Sequence, residues 1–204
     1  MPASRPLALA AALLTFAASA AAAAPADPAA PPAGGYTIEP THARVLFAVE
    51  HFGISTWYGD FTHVSGVLTL DPKTPAASRV EVSVPTDSLS TTNAGLDATL
   101  KGPDWFDVAR FPTMTFRSTK VTLTGSDRAS VEGELSLHGV TRPVTLEARF
   151  KGAFGPNAIA KSYMIGFEVR GRIKRSDFGI SRYAGTIGDD VDLIISAPFE
   201  RKGG

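Results

Sequence analysis

The side chains best suited to acid–base or metal chemistry in this sequence are four histidines, whose spacing fits no metal-binding motif. They are His42, His51, His63 and His138, and the chain has no cysteine. Disulfides, thiolate chemistry and the usual cysteine zinc sites are therefore excluded. His42 and His51 are nine positions apart, an offset that puts them on opposite faces of an unbroken strand. A transition-metal site would need several loops to converge, and none is predicted.

Catalytic motifs of other kinds are also missing. The chain contains no G-x-S-x-G sequence and no glycine-rich loop that opens a helix. The acidic run GDDVD at 188–192 lacks the spacing of an EF-hand and is predicted to form a turn. Lys+Arg and Asp+Glu both total 20, so the zero net charge does not favour nucleic-acid binding. We expect neither an enzyme nor a cofactor.

One histidine has a distinctive setting, in the stretch HARVLFAVEHFGISTWYGDF at 42–61. Val45, Phe47 and Val49 alternate as the apolar face of a strand, and His51 is the next residue in the same row. An apolar wall that ends in an imidazole suits either a buried structural histidine or a site for a polar group where a cavity meets water.

The elements that would position this row are β-strands. Alternating patterns predict about eight antiparallel strands, each with one dry face, and the region 88–111 predicts one or two short helices. The predicted class is all-β, as a barrel or a sandwich. An eight-stranded barrel is either filled by side chains or holds one small ligand. The predicted strands cover 44–50, 63–70, 80–84, 113–124, 130–137, 144–151, 163–173 and 191–199.

The N-terminal region has a different composition from the rest. Residues 1–26 carry one early positive charge, a short apolar run and small residues, the pattern of a cleaved export signal. Residues 27–35 are rich in Pro, Ala and Gly and are predicted to form a flexible tether. The folded domain is expected at 36–204. If the signal acts as expected, the protein is periplasmic.

Several segments, in order, resemble the YceI-like polyisoprenoid-binding family. The opening, YTIEPTHARVLFAVEHFGIS at 36–55, resembles the start of that family's domain. The resemblance implies a lipocalin-like antiparallel barrel whose interior holds a long isoprenoid, such as a polyprenyl phosphate or a quinone tail, for carriage or storage. The other matching segments are SVPTDSLST (83–91), DWFDVARFPTMTFRST (104–119), GELSLHGVTRPVTL (133–146), IKRSDFGI (173–180) and IGDDVDL (187–193).

The inward rows then become candidates for the wall of a cavity, with His51 beside the ligand's head group. Aromatic residues between and beside the strands, Trp57, Phe61, Trp105, Phe106 and Phe111, are expected to form a lid or a closed end. The predicted ligand-binding residues are Val45, Phe47, Val49, His51, Trp57, Phe61, Phe106, Met114, Phe116, Leu135, Leu137, Ile165, Phe167 and Val169.

The remaining predictions concern charge and partners. Arg170, Arg172 and Lys174 share the outer face of one strand, either as a solvated face or as a docking stripe for anionic lipid. Arg175 and Asp177 are expected to pair with each other or with the backbone. The alternative to a lipid carrier is an interaction module with a filled barrel that serves a membrane redox partner or the envelope stress response. A third alternative is an enzyme with His51 as base, and the partners considered include a second copy of the chain in a homodimer.

Overall fold

The structure, a computed structural model, describes residues 31–156 and 161–201. The predicted export signal lies outside the described residues. In the part of the chain that is described, no helix is long and apolar enough to cross a membrane. The elements in chain order are β1 (Gly34–Ile38), β2 (Arg44–His51), β3 (Ser55–Phe61), β4 (Ser65–Leu70), β5 (Arg79–Pro85), β6 (Leu89–Ser90), α1 (Ala94–Lys101), β7 (Thr113–Leu123), β8 (Arg128–Leu137), β9 (Val140–Phe154), β10 (Tyr163–Lys174) and β11 (Ile187–Arg201).

These strands form a closed antiparallel barrel. Strand β11 pairs with β2 along its first part and with β1 at its end, so β1 and β2 together occupy one position in the wall. Strands β3 and β4 share the next position, and β5 and β6 the third. Strands β7 to β11 follow in order and return to the start, which gives eight positions. The predicted eight-stranded barrel is confirmed.

The predicted strands correspond to β2, β4, β5 and β7 to β11, whereas β1, β3 and β6 were not predicted. In β3 the inward row is Trp57, Gly59 and Phe61, and the glycine interrupts the apolar pattern. Gly59 is opposite Phe47 in the register, and a Cβ there would lie 2.4 Å from Cζ of that ring. Strand β1 begins at Gly34, inside the stretch predicted as a tether. That prediction was wrong here because a Gly-Gly pair is more typical of a linker than of a strand.

One further expectation about local structure is corrected, and one strand has an irregularity. The GDDVD run is not a turn, because it lies within β11, where residues 190–192 pair with β10 and residues 191–192 also pair with β2. In β7, a register shift between Ser118 and Lys120 reverses the alternation, so that Val121 and Leu123 face inward after Met114 and Phe116. A bulge of this kind changes which side chains face the core without altering the composition of the strand.

The two ends of the barrel are built differently. One end, which we call the helix end, carries the β2–β3 hairpin, α1 with the segment that follows it, and the 181–187 loop. Asn93 caps α1 through its side chain, and the helix ends at Gly102. The opposite end, the turn end, carries the 71–78 connection with a short 3₁₀ helix at Pro75–Ala77, and the β7–β8 turn.

Candidate ligand cavity

A cavity of about 960 Å³ runs through the barrel. Its wall consists mainly of Val, Leu, Ile and Phe side chains from the inward rows of the strands. The volume lies near the upper end of the range for small-molecule sites, roughly 300–1,000 Å³. The cavity reaches the surface at the helix end, where the exposed ring of Tyr183 forms part of its lining, and at the turn end beside Leu123 and Arg128.

The barrel is hollow rather than filled. Val82, Phe116, Leu135, Phe167 and Leu193 all line the cavity and all remain only half-buried. Inward side chains in a close-packed core would have almost no accessible surface, because interiors are packed as densely as organic crystals. The accessible surface of these side chains therefore faces the cavity. The alternative of a filled barrel that acts only through its outside loses its structural basis.

All of the predicted ligand-binding residues line the cavity except Ile165. Ile165 is fully buried, with Ala153 and Phe199 opposite it in the register on the two neighbouring strands. It packs in the apolar core with Tyr36 and Ile38, so it supports the wall instead of forming it. For the other predicted residues the position is now described, while contact with a ligand stays a prediction.

His51 lies at the helix end, at the tip of the β2–β3 hairpin, and lines the cavity as the alternating row predicted. Its ring packs edge-on against Phe52, with centroids 4.3 Å apart, and lies 6.0 Å from Trp57. In the described chain no hydrogen bond reaches either ring nitrogen, and no carboxylate contacts the ring. The imidazole therefore has its full hydrogen-bonding capacity available, but it lacks the orienting acid that a general base usually has.

Trp57, Phe61, Trp105 and Phe106 line the cavity at the helix end. The rings of Phe61 and Phe106 meet edge to face at 5.5 Å. Phe111 does not line the cavity, which corrects the prediction that it joins these four residues in a lid or a closed end. Its ring packs against His138 at 4.6 Å, under a turn where a Cβ on Gly139 would lie 2.5 Å from the ring.

Arg175 holds the loop that borders the helix end. Its guanidinium donates to the carbonyl oxygens of Ile180, Arg182, Ile187 and Gly188, at 2.8–2.9 Å. The predicted pairing of Arg175 with Asp177 is wrong, and the alternative, pairing with the backbone, is confirmed for Arg175. Burial lowers the pKa of Arg175 from its ordinary value, yet an arginine stays charged, so these carbonyls keep a charged donor.

The turn end is more highly charged than the helix end. Arg79, Asp127 and Arg128 line the cavity there, beside Pro72 and Pro75. These charges are satisfied by the protein. Arg79 donates to two nearby backbone carbonyls, and Asp127 accepts from Arg149 at 2.9 Å. That hydrogen bond lowers the pKa of Asp127 below its ordinary value, so the carboxylate stays ionised at neutral pH.

The basic residues on the outside of β10 are neutralised by acidic neighbours. Arg170 pairs with Glu168 at 3.1 Å, Arg172 with Asp192 at 2.6 Å, and Lys174 with Asp190 at 2.8 Å. Because each cation has an acidic partner, the surface is a mixed, solvated face. This corrects the docking-stripe interpretation, since the net positive charge on which it depends is absent.

Several lining residues were not among the predicted set. The inward rows of β5 and β11, with Val80, Val82, Leu193 and Ile195, were visible as alternating patterns and could have been included. Leu96 from α1 and Tyr183 had no such signal, because their place depends on how loops fold over the barrel. Elsewhere in the described ranges, no group of His, Asp and Glu residues is arranged to hold a metal ion.

Comparison with known proteins places the chain in a family. A model of the YceI-like domain matches residues 36–199. Among curated sequences, a "UPF0312 protein" of Yersinia pestis is 42% identical over 158 residues, which cover 78% of this chain and 81% of that protein. A UPF0312 protein of an Enterobacter strain has the same identity over the same length.

Solved structures share the barrel. The YceI protein of Campylobacter jejuni is 28% identical, with a TM-score of 0.64 over 76% of this chain and 90% of that one. BcnA of Burkholderia cenocepacia is 20% identical, with a TM-score of 0.69 over 79% and 98%. A Saccharophagus degradans domain described as polyisoprenoid-binding is 15% identical, with a TM-score of 0.61 over 81% and 97%. At these last two identities the likeness concerns the fold.

Proposed function

Starting from the fact that this chain belongs to the YceI-like domain family, we propose that it binds a long-chain isoprenoid or a similar amphiphilic lipid inside its barrel. The observation that carries the proposal is the apolar cavity of about 960 Å³, open to the surface at both ends. Support also comes from a structural neighbour of the same fold that is described as polyisoprenoid-binding.

The physical argument rests on the length and the lining of the cavity. Ile195 is opposite both Val45 and Val169, so His51 lies six residues along β2 on one side of this level and Phe167 two residues along β10 on the other. These eight residues span about 26 Å along the strands at the usual rise per residue. A hydrocarbon chain buried along such a wall gains about 0.8 kcal/mol per methylene. An elongated apolar ligand therefore fits the cavity better than a compact polar one.

We place the polar head group at the helix end, next to His51. A neutral imidazole can donate to a carbonyl such as that of a quinone, and a protonated one can pair with a phosphate. The charged groups of the turn end are already bound to the backbone or to other charged side chains, whereas the ring nitrogens of His51 have no partner in the described chain. The tail would then extend towards Phe167 and the turn end.

We propose that the protein acts as a carrier or store rather than as an enzyme, and that it works in the periplasm. The composition of residues 1–26 supports the compartment, and the missing acid beside His51 supports a binding role. Contact with a membrane redox protein, and a homodimer, would be compatible with carriage.

Organic extraction of the purified protein followed by mass spectrometry tests the proposal. We expect one long-chain lipid per barrel, or saturable binding of an added isoprenoid quinone to protein stripped of lipid. A barrel that carries no lipid and binds neither quinone nor polyprenyl phosphate would refute the proposal. Binding of a small polar molecule in the cavity would refute the assignment of ligand class.

A further inference from the structure

At the helix end three large apolar side chains project into solvent beside the mouth of the cavity. Phe52 and Ile54 form the tip of the β2–β3 hairpin, with 57% and 86% of their surface exposed, and Tyr183 in the adjacent loop is 56% exposed. The backbone N–H of Phe52 donates to the carbonyl oxygen of Thr186 at 3.0 Å and joins the two loops. We call these three residues the apolar rim.

Both rings of the rim occur at backbone positions that disfavour them. Phe52 has a φ of 59° and Tyr183 a φ of 54°. Phe52 precedes Gly53, whose φ is 69°, in a turn of the kind in which Asn-Gly is the usual pair. A bulky residue with a left-handed backbone is an outlier, and such strain collects at binding sites. Neither ring is buried, so packing in the core does not account for its presence.

The apolar rim is continuous with the cavity. The Phe52 ring lies against His51, which lines the cavity, and Tyr183 lines it directly. Tyr183 also lies 6.3 Å from Trp105, another lining residue. A hydrocarbon chain that enters between these rings would have aromatic side chains beside it from the rim to the lumen.

We propose that the apolar rim inserts into the interface of a phospholipid bilayer and forms the entrance through which the lipid is exchanged. This inference rests on the proposed function, since a lipid ligand must be collected from a membrane. Aromatic side chains favour the membrane interface, and an entrance pressed against it lets the tail slide in while the head group stays beside His51.

The area and charge of the rim favour a membrane over a second copy of this chain. A stable protein interface needs about 800 Å² from each partner, and three side chains that each bury at most about 150–250 Å² fall short of that. The neighbouring cation, Arg182, is ion-paired with Asp104 at 3.8 Å. Insertion should therefore depend on apolar contact, with little dependence on salt.

The test combines Phe52→Asn and Ile54→Ser in one variant, called the rim variant, and leaves Tyr183, which lines the cavity, unchanged. Asparagine tolerates the left-handed backbone, so folding is retained and thermal stability should be equal or higher. The matched control is Leu123→Asn, which removes a side chain that is 57% exposed at the turn end. Flotation with vesicles of phosphatidylethanolamine and phosphatidylglycerol, at low and high salt, measures membrane binding.

We expect the rim variant to lose vesicle binding by at least about tenfold, as for withdrawal of one large apolar side chain from lipid. The control should bind like the parent. Equal binding by the rim variant would overturn the inference. So would a changed oligomeric state of the rim variant with unchanged vesicle binding, which would assign the rim to a second copy.

Loading of a fluorescent geranylgeranyl probe separates this inference from the proposed function. From vesicles, the rim variant should load more slowly than the parent. From detergent, both should reach the same occupancy. If the parent protein binds no probe by either route, the proposed function fails, and flotation still decides whether the rim binds membranes.

Discussion

The two ends of the barrel differ in how their polar groups are used. The turn end has more charges at the cavity, namely Arg79, Asp127 and Arg128, but they are bound to the backbone or to each other. The helix end has the lone imidazole of His51, which has no hydrogen-bond partner in the described residues, within a ring of aromatic side chains. The position of unsatisfied polar atoms, rather than the number of charges, indicates where a ligand's head group belongs.

The two ends also differ in the hydrogen bonds that fix their loops. Arg175 is 6% exposed and binds four carbonyls of the 180–188 loop, whereas Arg79 is exposed and binds only carbonyls close to it in sequence. The helix end therefore depends on one buried cation for the shape of its loop. At the turn end, water can replace any lost contact.

The largest expected effect follows from this difference. We expect Arg175→Ala to lower the free energy of unfolding by about 4 kcal/mol, because it leaves buried carbonyls without a charged donor. Arg79→Ala should change it by less than about 1 kcal/mol. Urea denaturation followed by Trp fluorescence measures both, since Trp105 lies 5.7 Å from the Arg175 guanidinium. Similar decreases in the free energy of unfolding in the two variants would show that the two arginines contribute equally to stability.

The next prediction tests the direction of the ligand. Phe167 lies between Phe150 and Phe199, at centroid distances of 5.6 and 6.2 Å, far from His51. Phe167→Trp should shorten the lumen, and each isoprene unit displaced forfeits about 3–4 kcal/mol of burial. With the head group at His51, binding of long isoprenoids should fall strongly while a farnesyl-sized probe binds as before.

Comparing the binding of long and short isoprenoids shows which end of the cavity holds the head group. A control, Tyr58→Trp, makes a similar change on the exposed outer face of β3, and should leave binding of both chains unaltered. The opposite outcome would be that Phe167→Trp abolishes binding of the short probe while variants of His51 bind it normally. The head group would then belong at the turn end.

A smaller effect is expected at the head group itself. His51→Ala should weaken binding of an isoprenoid quinone by about three- to tenfold, the contribution of one hydrogen bond of roughly 0.5–1.5 kcal/mol. His51→Gln, which keeps a donor, should recover part of the loss. Arg128→Ala at the turn end should have no effect. Titration of detergent-delivered quinone measures all three, and a loss confined to Arg128→Ala would reverse the assignment of the two ends.

Alternation in long strands is a strong signal and predicted these strands well, whereas the choice of a barrel over a sandwich came from the resemblance to the family. The rows of β2, β8 and β10 were identified correctly, and so was the place of His51. Alternation predicted less where the pattern was locally interrupted. In β3, Gly59 interrupts the apolar row because a larger side chain would clash with Phe47. In β7, the register shift changes which residues face inward.

Features that depend on contacts across the fold could not be predicted from local pattern. Arg175 was recognised as a residue with a partner, but its four carbonyl acceptors come together only after the loop has closed. The acidic partners of Arg172 and Lys174 come from β11, where GDDVD was predicted as a turn. Whether the barrel was filled or hollow depended on the packing of every inward row at once, which composition does not specify.

The smallest expected effect concerns the wall between the two ends. We expect Arg170→Glu with Arg172→Glu to leave vesicle binding unchanged within error, because both arginines are already ion-paired and the surface has no excess of positive charge. Exposed pairs of this kind contribute about 0–1 kcal/mol, so stability should fall only slightly. Co-sedimentation with anionic vesicles checks the prediction. A clear loss of binding would mean that the wall, and not the apolar rim at the helix end, is the surface that meets the membrane.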